Sequence, residues 1–359
     1  MKSFLIHIGT DFPAILFFIL LLWHIRRTET EENDLISKED GLSLRGMAAL
    51  LVLLHHLAPL TRSGMLLPKF YSVGAGGIAV SLFFFLSGYG LQKQYIINGE
   101  SYRKSFLKKR IPTILIPLAL FTVLYWLVYY SIGKVYTIQD MVADIRIGVP
   151  FVAYSWYLIA LLLFYFFFWI SMSVFKEHTR WMPIAACGWY ILYALTCIKL
   201  KYLIFWYDTA HLLPVGMFCA EHEKKILDVL KKRSSYSALV LTAFSCWLVI
   251  SFVFAHVWPI NIYLYYILSI SHVFLSTVVI VLLHLKIKIG NPVLRYFGKN
   301  SMEIYLIHGL IFYLLRGDIF YLNNEPLYCL LSLSIVILIA SILAPVDRFL
   351  LRSWKRIVK

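Results

Sequence analysis

The chain alternates between long apolar stretches and short polar connections along most of its length. Eleven stretches approach the roughly 20 apolar residues that an α-helix needs to cross a bilayer. They are too long and too continuous for transmembrane β-strands, which alternate apolar and polar positions over about 10 residues. We therefore expect an all-α polytopic membrane protein with about ten core transmembrane helices and one N-terminal helix. The expected spans are approximately 4–25, 42–60, 74–92, 111–132, 152–173, 182–198, 203–220, 237–256, 261–284, 299–315 and 327–347.

The first expected span differs from the others because His7, Asp11 and Pro13 interrupt it. A signal peptide is an alternative, but no small-residue cleavage site follows the apolar stretch. We interpret residues 1–41 as an N-terminal anchor helix and a polar linker. Residues 42–359 then form one membrane domain, in which we detect no internal repeat and no soluble module.

The composition and the charge distribution also indicate a membrane protein. Of 359 residues, 60% are hydrophobic and 15% are charged, whereas soluble domains are about 45–50% apolar and about 25% charged. The net charge of +15 lies mostly in the short connections. If the N-terminus is outside, the inner segments hold 25 of the 34 Lys and Arg residues and the outer segments hold 8. This asymmetry follows the positive-inside rule and predicts a cytoplasmic C-terminus, so a nucleic-acid partner is not needed to explain the charge.

The five cysteines lie within or beside apolar stretches, and none forms a C-x-x-C pair. Zinc sites and disulfide frameworks depend on recognisable cysteine spacing. We therefore expect buried thiols, no metal site and no bound cofactor.

One expected membrane helix carries an arginine and two histidines. Ionisable side chains are costly within a bilayer and indicate a functional site by default. Arg45 and His56 are eleven residues apart and share a helix face, with about 16 Å between them along the axis, whereas His55 points about 80° away. A neutral imidazole can take a proton from an attacking hydroxyl, and a guanidinium can hold phosphates or a carboxylate. The alternative is that Arg45 extends to the inner boundary while the histidines satisfy each other or a carbonyl.

The segment from Leu44 to His56 resembles the first core helix of the integral-membrane acyltransferase family 3. The mark of that family is an arginine, ten intervening residues and a histidine, which Arg45 and His56 match. Five further segments resemble family motifs in the same order. They are 79–90 (F-F-x-x-S-G), 105–112 with Pro117 (a basic loop entering a helix), 155–158 (W-[FY]-L), 206–217 (a late-helix segment) and 301–308 (S-x-x-I-Y-L-I-H).

The resemblance implies an O-acyltransferase that takes an acyl group, with acetyl expected, from cytoplasmic acyl-CoA. The acceptor would be a hydroxyl of a cell-envelope glycan, a lipid-linked sugar or a related molecule. His56 would be the catalytic base or an acyl relay, and Arg45 would position the donor. The expected location is the plasma membrane of a bacterium, and the oligomeric state stays open.

The basic loop departs from the family pattern. Family members often have a second arginine three residues after the first, where this chain has Thr113. Arg110 is therefore the best remaining candidate, with Lys109 beside it, for binding the donor phosphates. The alternative is that these residues only set the topology and meet anionic lipid.

Four more side chains are candidates for substrate binding. Ser301 and His308 are seven residues apart and lie about 20° off one helix face, so we expect them to line the same cavity. Simple core packing is an equally good explanation for this pair. Asp208 lies near the expected depth of His56, although a neutralised or water-exposed carboxylate is the alternative. Trp156 belongs to the W-[FY]-L segment.

Two other classes of function are alternatives. A transporter or exporter of glycans or lipids also buries Arg and His along its pathway, but the internal repeats of many transporters are not detectable here. The other alternative is a membrane scaffold with a degenerate site, although the intact spacing of Arg45 and His56 argues against it. For an acyltransferase we expect one deep, largely apolar tunnel that contains both residues, opens to the inside and has Ser301 or His308 on its wall.

Overall fold

The computed structural model describes residues 2–28, 34–257, 261–317 and 320–357, and it is 82% helical with almost no sheet. This confirms the all-α polytopic class. Within the described ranges, seven helical stretches are long and apolar enough to cross a membrane. They are Lys38–Leu60, Ala75–Ser131, Trp156–Phe175, Thr179–Lys199, Arg233–His256, Ile262–Lys286 and Glu325–Ile357, and shorter apolar helices cover Ile6–Leu22 and Leu212–Glu221.

The individual elements follow one another with short connections. Two short strands, β1 (Arg26–Arg27) and β2 (Ile287–Lys288), pair antiparallel. The helices are α1 (Lys2–Leu22), α2 (Lys38–Leu57), α3 (Leu67–Ser72), α4 (Ala75–Arg110), α5 (Pro112–Ser131), α6 (Ile138–Arg146), α7 (Trp156–Phe175), α8 (Met182–Lys199), α9 (Leu212–Glu221), α10 (Glu223–Lys231), α11 (Arg233–Val257), α12 (Ile262–Lys286), α13 (Pro292–Lys299), α14 (Ser301–Arg316) and α15 (Glu325–Ile357).

Some connections contain more structure than the apolar pattern predicts. The expected loop 93–110 continues α4, with a break at Gly99, whose φ of 49° lies in the left-handed region. The connections 133–151 and 221–236 contain the short helices α6 and α10. A capping box between Thr137 and Asp140 begins α6. These polar helices are missed when segments are chosen by hydropathy alone.

The expected span 203–220 is not one continuous helix. A 3₁₀ turn over Ile204–Trp206 is followed by irregular chain and then by α9, which has only ten residues. Irregular backbone is tolerated at membrane depth where it lines a cavity instead of facing lipid. Residues 204, 205, 208 and 209 do line a cavity, as shown below.

Glycines allow two pairs of helices to pack backbone against backbone. A Cβ atom on any of four glycines would overlap a backbone carbonyl of the facing helix. Small residues permit this close approach between membrane helices. Two contacts join α4 to α9 and two join α2 to α13, so the helix that carries Arg45 and His56 is held closely along its inner half. The contacts are Gly88 with Leu213, Gly216 with Phe85, Gly46 with Leu294 and Gly298 with Leu42.

The N-terminal helix is bound to the rest of the protein near its middle and at its C-terminal end. The Asp11 carboxylate accepts hydrogen bonds from the backbone amides of residues 65–67 at 2.8–2.9 Å, and so caps the start of α3. At the C-terminal end, the Asn291 side-chain amide donates to the carbonyls of Leu20 at 2.7 Å and Trp23 at 3.2 Å. The main packing partner of α1 is α15.

Contacts between distant segments join connections that are expected to lie on the same side of the membrane. Lys93 and Glu223, from two connections expected inside, form an ion pair of 3.0 Å. Strands β1 and β2 likewise join two connections expected inside. On the opposite end of the bundle, Glu325 accepts a hydrogen bond of 2.7 Å from the backbone amide of Ser63, and both belong to segments expected outside.

The positive-inside distribution predicts which end of the bundle is cytoplasmic. A single cysteine introduced at Asn98, which is exposed in the connection expected inside, should not react with a membrane-impermeant maleimide added to intact cells. A cysteine at exposed Asn323, in a segment expected outside, should react. The unmodified protein measures labelling of the native cysteines. Rapid labelling at position 98 with none at position 323 would show that the topology is the reverse of the predicted one.

Candidate active site

A cavity of about 680 Å³ lies at the end of the bundle where the expected outer segments meet. We call it the outer cavity. Its wall is mainly aromatic, with a few polar side chains and the glycines that open α4. It includes His55, His56, Tyr71, Tyr154, Trp156, Phe205, Asp208, Phe254, Tyr265, Ser269, His272 and Tyr305.

His56 lies on the wall of the outer cavity. Its ring stacks on Tyr154 with 3.8 Å between centroids and lies 5.2 Å from the ring of His308. The Nδ1–H of His308 donates to the carbonyl of Tyr305 at 2.7 Å, with the tautomer inferred from this contact. The rings of Tyr154 and His308 thus hold His56 in place, and these stacking contacts leave its ring nitrogens able to accept a proton.

His55 also lines the outer cavity, but its contacts are those of a packing residue. Its Nδ1 lies 3.4 Å from the carbonyl oxygen of Phe70, and its ring stacks on Tyr71 at 5.0 Å. The ring also fills the space that a Cβ on Gly76 would need. The helix therefore directs its two adjacent histidines to different environments.

A smaller cavity of about 230 Å³ lies toward the opposite end of α2, and we call it the inner cavity. Arg45, which is partly buried, lines it. Among the described residues, no carboxylate forms an ion pair with Arg45. Removing a cation from water is costly unless it is paired, so this guanidinium is suited to a negatively charged or strongly polar ligand. The other lining residues are Phe83, Ser87, Thr113, Ile114, Tyr157, Leu158, Leu161, Tyr165, Gly298, Ser301, Met302 and Tyr305.

The structure places the candidate substrate-binding residues in separate positions. Asp208 and Trp156 line the outer cavity. The Ser269 hydroxyl donates to one Asp208 oxygen at 2.8 Å, while the other oxygen is buried without a partner among the described residues. Ser301 lines the inner cavity, whereas His308 lines neither cavity and packs behind His56. The expectation that Ser301 and His308 line one cavity is therefore wrong, because seven residues of rise carry them to different depths.

The basic-loop candidates line neither cavity. Lys109 is exposed, and the Arg110 guanidinium lies over the ring of Tyr102, 5.7 Å from its centroid. Thr113 lines the inner cavity, and its hydroxyl donates to the carbonyl of Arg110 at 2.6 Å. Arg110 thus lies one helical turn from the inner cavity.

The expected single tunnel is divided into two cavities in the structure. Arg45 opens into one and His56 into the other, although both lie on α2. Tyr305 lines both cavities and stands between them. The helical spacing predicts that Arg45 and His56 share a face of α2, but it carries no information about Tyr305, a side chain from α14 that lines both cavities.

Sequence reasoning missed Tyr305 and Tyr154 as site residues. Tyr305 lies inside the S-x-x-I-Y-L-I-H segment, so the resemblance contained a signal for it. Tyr154 immediately precedes the segment that contains Trp156, but its positive φ of 64° places its ring in a way that helical periodicity does not predict.

No cluster of three or more potential metal ligands occurs within the part of the chain that the structure describes. The five cysteines there are free thiols, and Cys187 and Cys246 are exposed, so the expectation of buried thiols is wrong for these two. The side chains that line the two cavities supply acid–base and binding groups of their own.

Comparison with known proteins gives one family. The family model Acyl_transf_3, described as an acyltransferase domain, matches residues 43–345, which is most of the chain. No curated protein and no solved structure matches the chain. The matched range begins just before Arg45 and ends within α15, so it includes both cavities.

Proposed function

We propose a specific acyl transfer for this chain, which belongs to the integral-membrane acyltransferase family 3. It is an acyltransferase in a membrane. In our proposal the donor is cytoplasmic acyl-CoA, with acetyl-CoA as the expected form. The acceptor is a hydroxyl of a cell-envelope glycan or a related lipid-linked molecule, which the outer cavity binds.

The inner cavity supports the donor assignment. Arg45 offers a planar fork of donors suited to phosphate or carbonyl oxygens. Ser301, Ser87 and Thr113 add hydroxyl groups on the same wall. Arg110, one turn beyond Thr113, is placed to meet donor phosphates that remain outside the cavity. An acyl-CoA bound there by its polar part would direct its thioester toward Tyr305.

The outer cavity supports the acceptor assignment. Its aromatic rings offer flat apolar faces against which sugar rings can pack, as Trp156 and Tyr71 illustrate. Asp208 lines this cavity, and a carboxylate can accept a hydrogen bond from a sugar hydroxyl. No Lys or Arg belongs to the described lining of this cavity, so an uncharged carbohydrate suits it better than a phosphate group.

The chemical step assigns one proton transfer to His56. The acceptor oxygen attacks the thioester carbonyl carbon, and the imidazole takes the hydroxyl proton as the new C–O bond forms. The C–S bond then breaks, and the CoA sulfur leaves as a thiolate that takes up the proton that His56 releases. The products are an ester on the acceptor and free CoA.

One observation carries this proposal. A single helix presents a guanidinium to one cavity and an imidazole to another, on opposite sides of one side chain. A donor that enters from one side of the membrane and an acceptor that enters from the other would need this arrangement. The family match does not favour the transporter alternative.

The test is a mass comparison of envelope glycans from cells with and without this protein. Cells are grown with deuterated acetate, so that acetyl esters carry the label. We expect labelled esters that alkali removes in the cells that contain the protein. Their loss on deletion, and their return with the wild-type gene but not with a His56→Ala gene, would support the assignment.

Equal ester content in all strains would refute the proposed acceptor class. Purified protein in nanodiscs, assayed for release of free thiol from acetyl-CoA, then tests the donor separately. Turnover with another acyl-CoA but not with acetyl-CoA would correct the acyl group alone.

A further inference from the structure

Tyr305 is the one residue that the linings of both cavities share within the described chain. Its side chain is 5% exposed. The hydroxyl donates to the backbone carbonyl of Tyr154 at 2.6 Å, and the ring packs edge-on against Tyr157 with centroids 5.8 Å apart. One hydrogen bond thus holds the ring at the boundary that the inner and outer cavities share.

The acceptor of that hydrogen bond lies in an unusual backbone position. Tyr154 has φ of 64°, a region that non-glycine residues seldom adopt and that clusters at functional sites. Gly309 on α14 makes room for it, because a Cβ there would lie 2.6 Å from Ala153 and 3.1 Å from the Tyr154 ring. The Tyr154 ring is in turn the one that stacks on His56.

The hydrogen bond from Tyr305 to Tyr154 links the residue that both cavities share to His56, the candidate base. If the Tyr305 side chain turns away, it releases the carbonyl of Tyr154, the residue against which His56 stacks. The same movement would join the inner cavity to the outer one. With the ring in place, a thioester held near Arg45 is separated from His56 and from water in the outer cavity.

We propose that Tyr305 is a mobile partition that separates bound donor from the outer cavity until an acceptor is present. It is a positioning residue, and its role rests on the acyl transfer proposed above. Its closed position prevents water from taking the place of the acceptor. Without it, water would attack the thioester carbonyl, the C–S bond would break, and free carboxylate and CoA thiol would form.

The first test measures the partition without any enzymatic activity. Ser87 lines the inner cavity, so Ser87→Cys places a thiol behind Tyr305. A membrane-impermeant methanethiosulfonate is added from the outer side of intact cells, and the protein without Ser87→Cys measures the labelling of native cysteines. We expect slow labelling with Tyr305 in place. Adding Tyr305→Phe should increase the rate by about tenfold, which is the order of the effect of one hydrogen bond.

A matched control comes from a second hydrogen bond to the same helix. The Tyr125 hydroxyl donates to the carbonyl of Leu306 at 3.0 Å, and Tyr125 is fully buried and lines neither cavity. Tyr125→Phe therefore removes a similar hydrogen bond to α14 without touching the partition. It should leave labelling of the thiol at position 87 slow. Tyr305→Leu removes the ring, so the thiol at position 87 should be labelled fastest in this variant, provided that the variant reaches the membrane.

The second test measures the chemistry. Purified protein in nanodiscs is given acetyl-CoA with no acceptor, and thiol release is measured. Tyr305→Phe should increase this hydrolysis relative to wild type and Tyr125→Phe. In a parallel assay with envelope glycan present as acceptor, Tyr305→Phe should lower the fraction of consumed thioester that yields acylated glycan.

The outcomes separate the two proposals. Labelling from outside is compared in three proteins: Ser87→Cys alone, Ser87→Cys with Tyr305→Phe, and Ser87→Cys with Tyr125→Phe. The partition is refuted if all three label at the same rate, whether that rate is fast or slow. If labelling behaves as expected but no variant consumes an acyl-CoA, the partition stands and the proposed function fails. Unchanged hydrolysis in an active Tyr305→Phe variant would refute the protective role.

Discussion

Replacing His56 by alanine is expected to abolish acyl transfer while the protein still folds and inserts. The imidazole lines the outer cavity, where an acceptor hydroxyl would bind, and its ring packs against the rings of Tyr154 and His308, which also stack on each other. Loss of a positioned general base typically lowers a rate by about 10²–10⁴-fold. The measurement is ester content of envelope glycans, or thiol release from acetyl-CoA with acceptor present, at matched membrane abundance.

His55→Ala is the matched control for this experiment. His55 occupies the neighbouring position, but it contacts the Phe70 carbonyl and fills the space beside Gly76. Its loss should lower abundance modestly and change activity per molecule little. Full activity in His56→Ala, or an equal loss of activity per molecule in His56→Ala and His55→Ala, would show that His56 has a packing role and is not the base.

The second large effect is expected at Arg45. Lysine keeps the positive charge but lacks the planar fork that holds two oxygens at once. A hydrogen bond to a charged group is worth about 1.5–3 kcal/mol, so Arg45→Lys should weaken the donor interaction by roughly 10- to 100-fold. We expect the KM for acyl-CoA to rise in Arg45→Lys and activity to vanish in Arg45→Ala.

Arg352→Lys makes the same chemical change at an exposed position of α15 that lines neither cavity. It should leave the KM for acyl-CoA unchanged. If Arg45→Lys also leaves it unchanged while lowering abundance, Arg45 acts in assembly and not in donor binding.

Hydropathy and helical periodicity predicted much of the fold. Each of the eleven apolar stretches contains helix, because a chain in lipid must satisfy its backbone hydrogen bonds locally. The same argument failed for 203–220, where the chain faces a cavity and can remain irregular before α9. Polar helices such as α6 and α10 were missed because hydropathy selects apolar runs, and neither helix contains one.

The candidate site was predictable only where one helix determines it. The eleven-residue spacing of Arg45 and His56 is a property of α2 alone, and both residues line cavities, although these are two separate cavities where one tunnel was expected. Their separation by Tyr305 depends on how α14 packs against α2, and the position of Tyr154 depends on a left-handed backbone. Neither feature produces a periodic pattern in the sequence, so neither could be predicted before the structure was known.

The position of α1 has a consequence for the order in which the protein can assemble. This helix is made well before α15, yet it packs mainly against α15, and its Gly9 meets Pro326 at the start of that helix. About 300 residues separate the two helices, so at about 5–20 residues per second a ribosome needs roughly 15–60 s to pass from one to the other. During that interval α1 has neighbours such as α2 and α3 but lacks its largest contact. An early helix therefore reaches its final packing late.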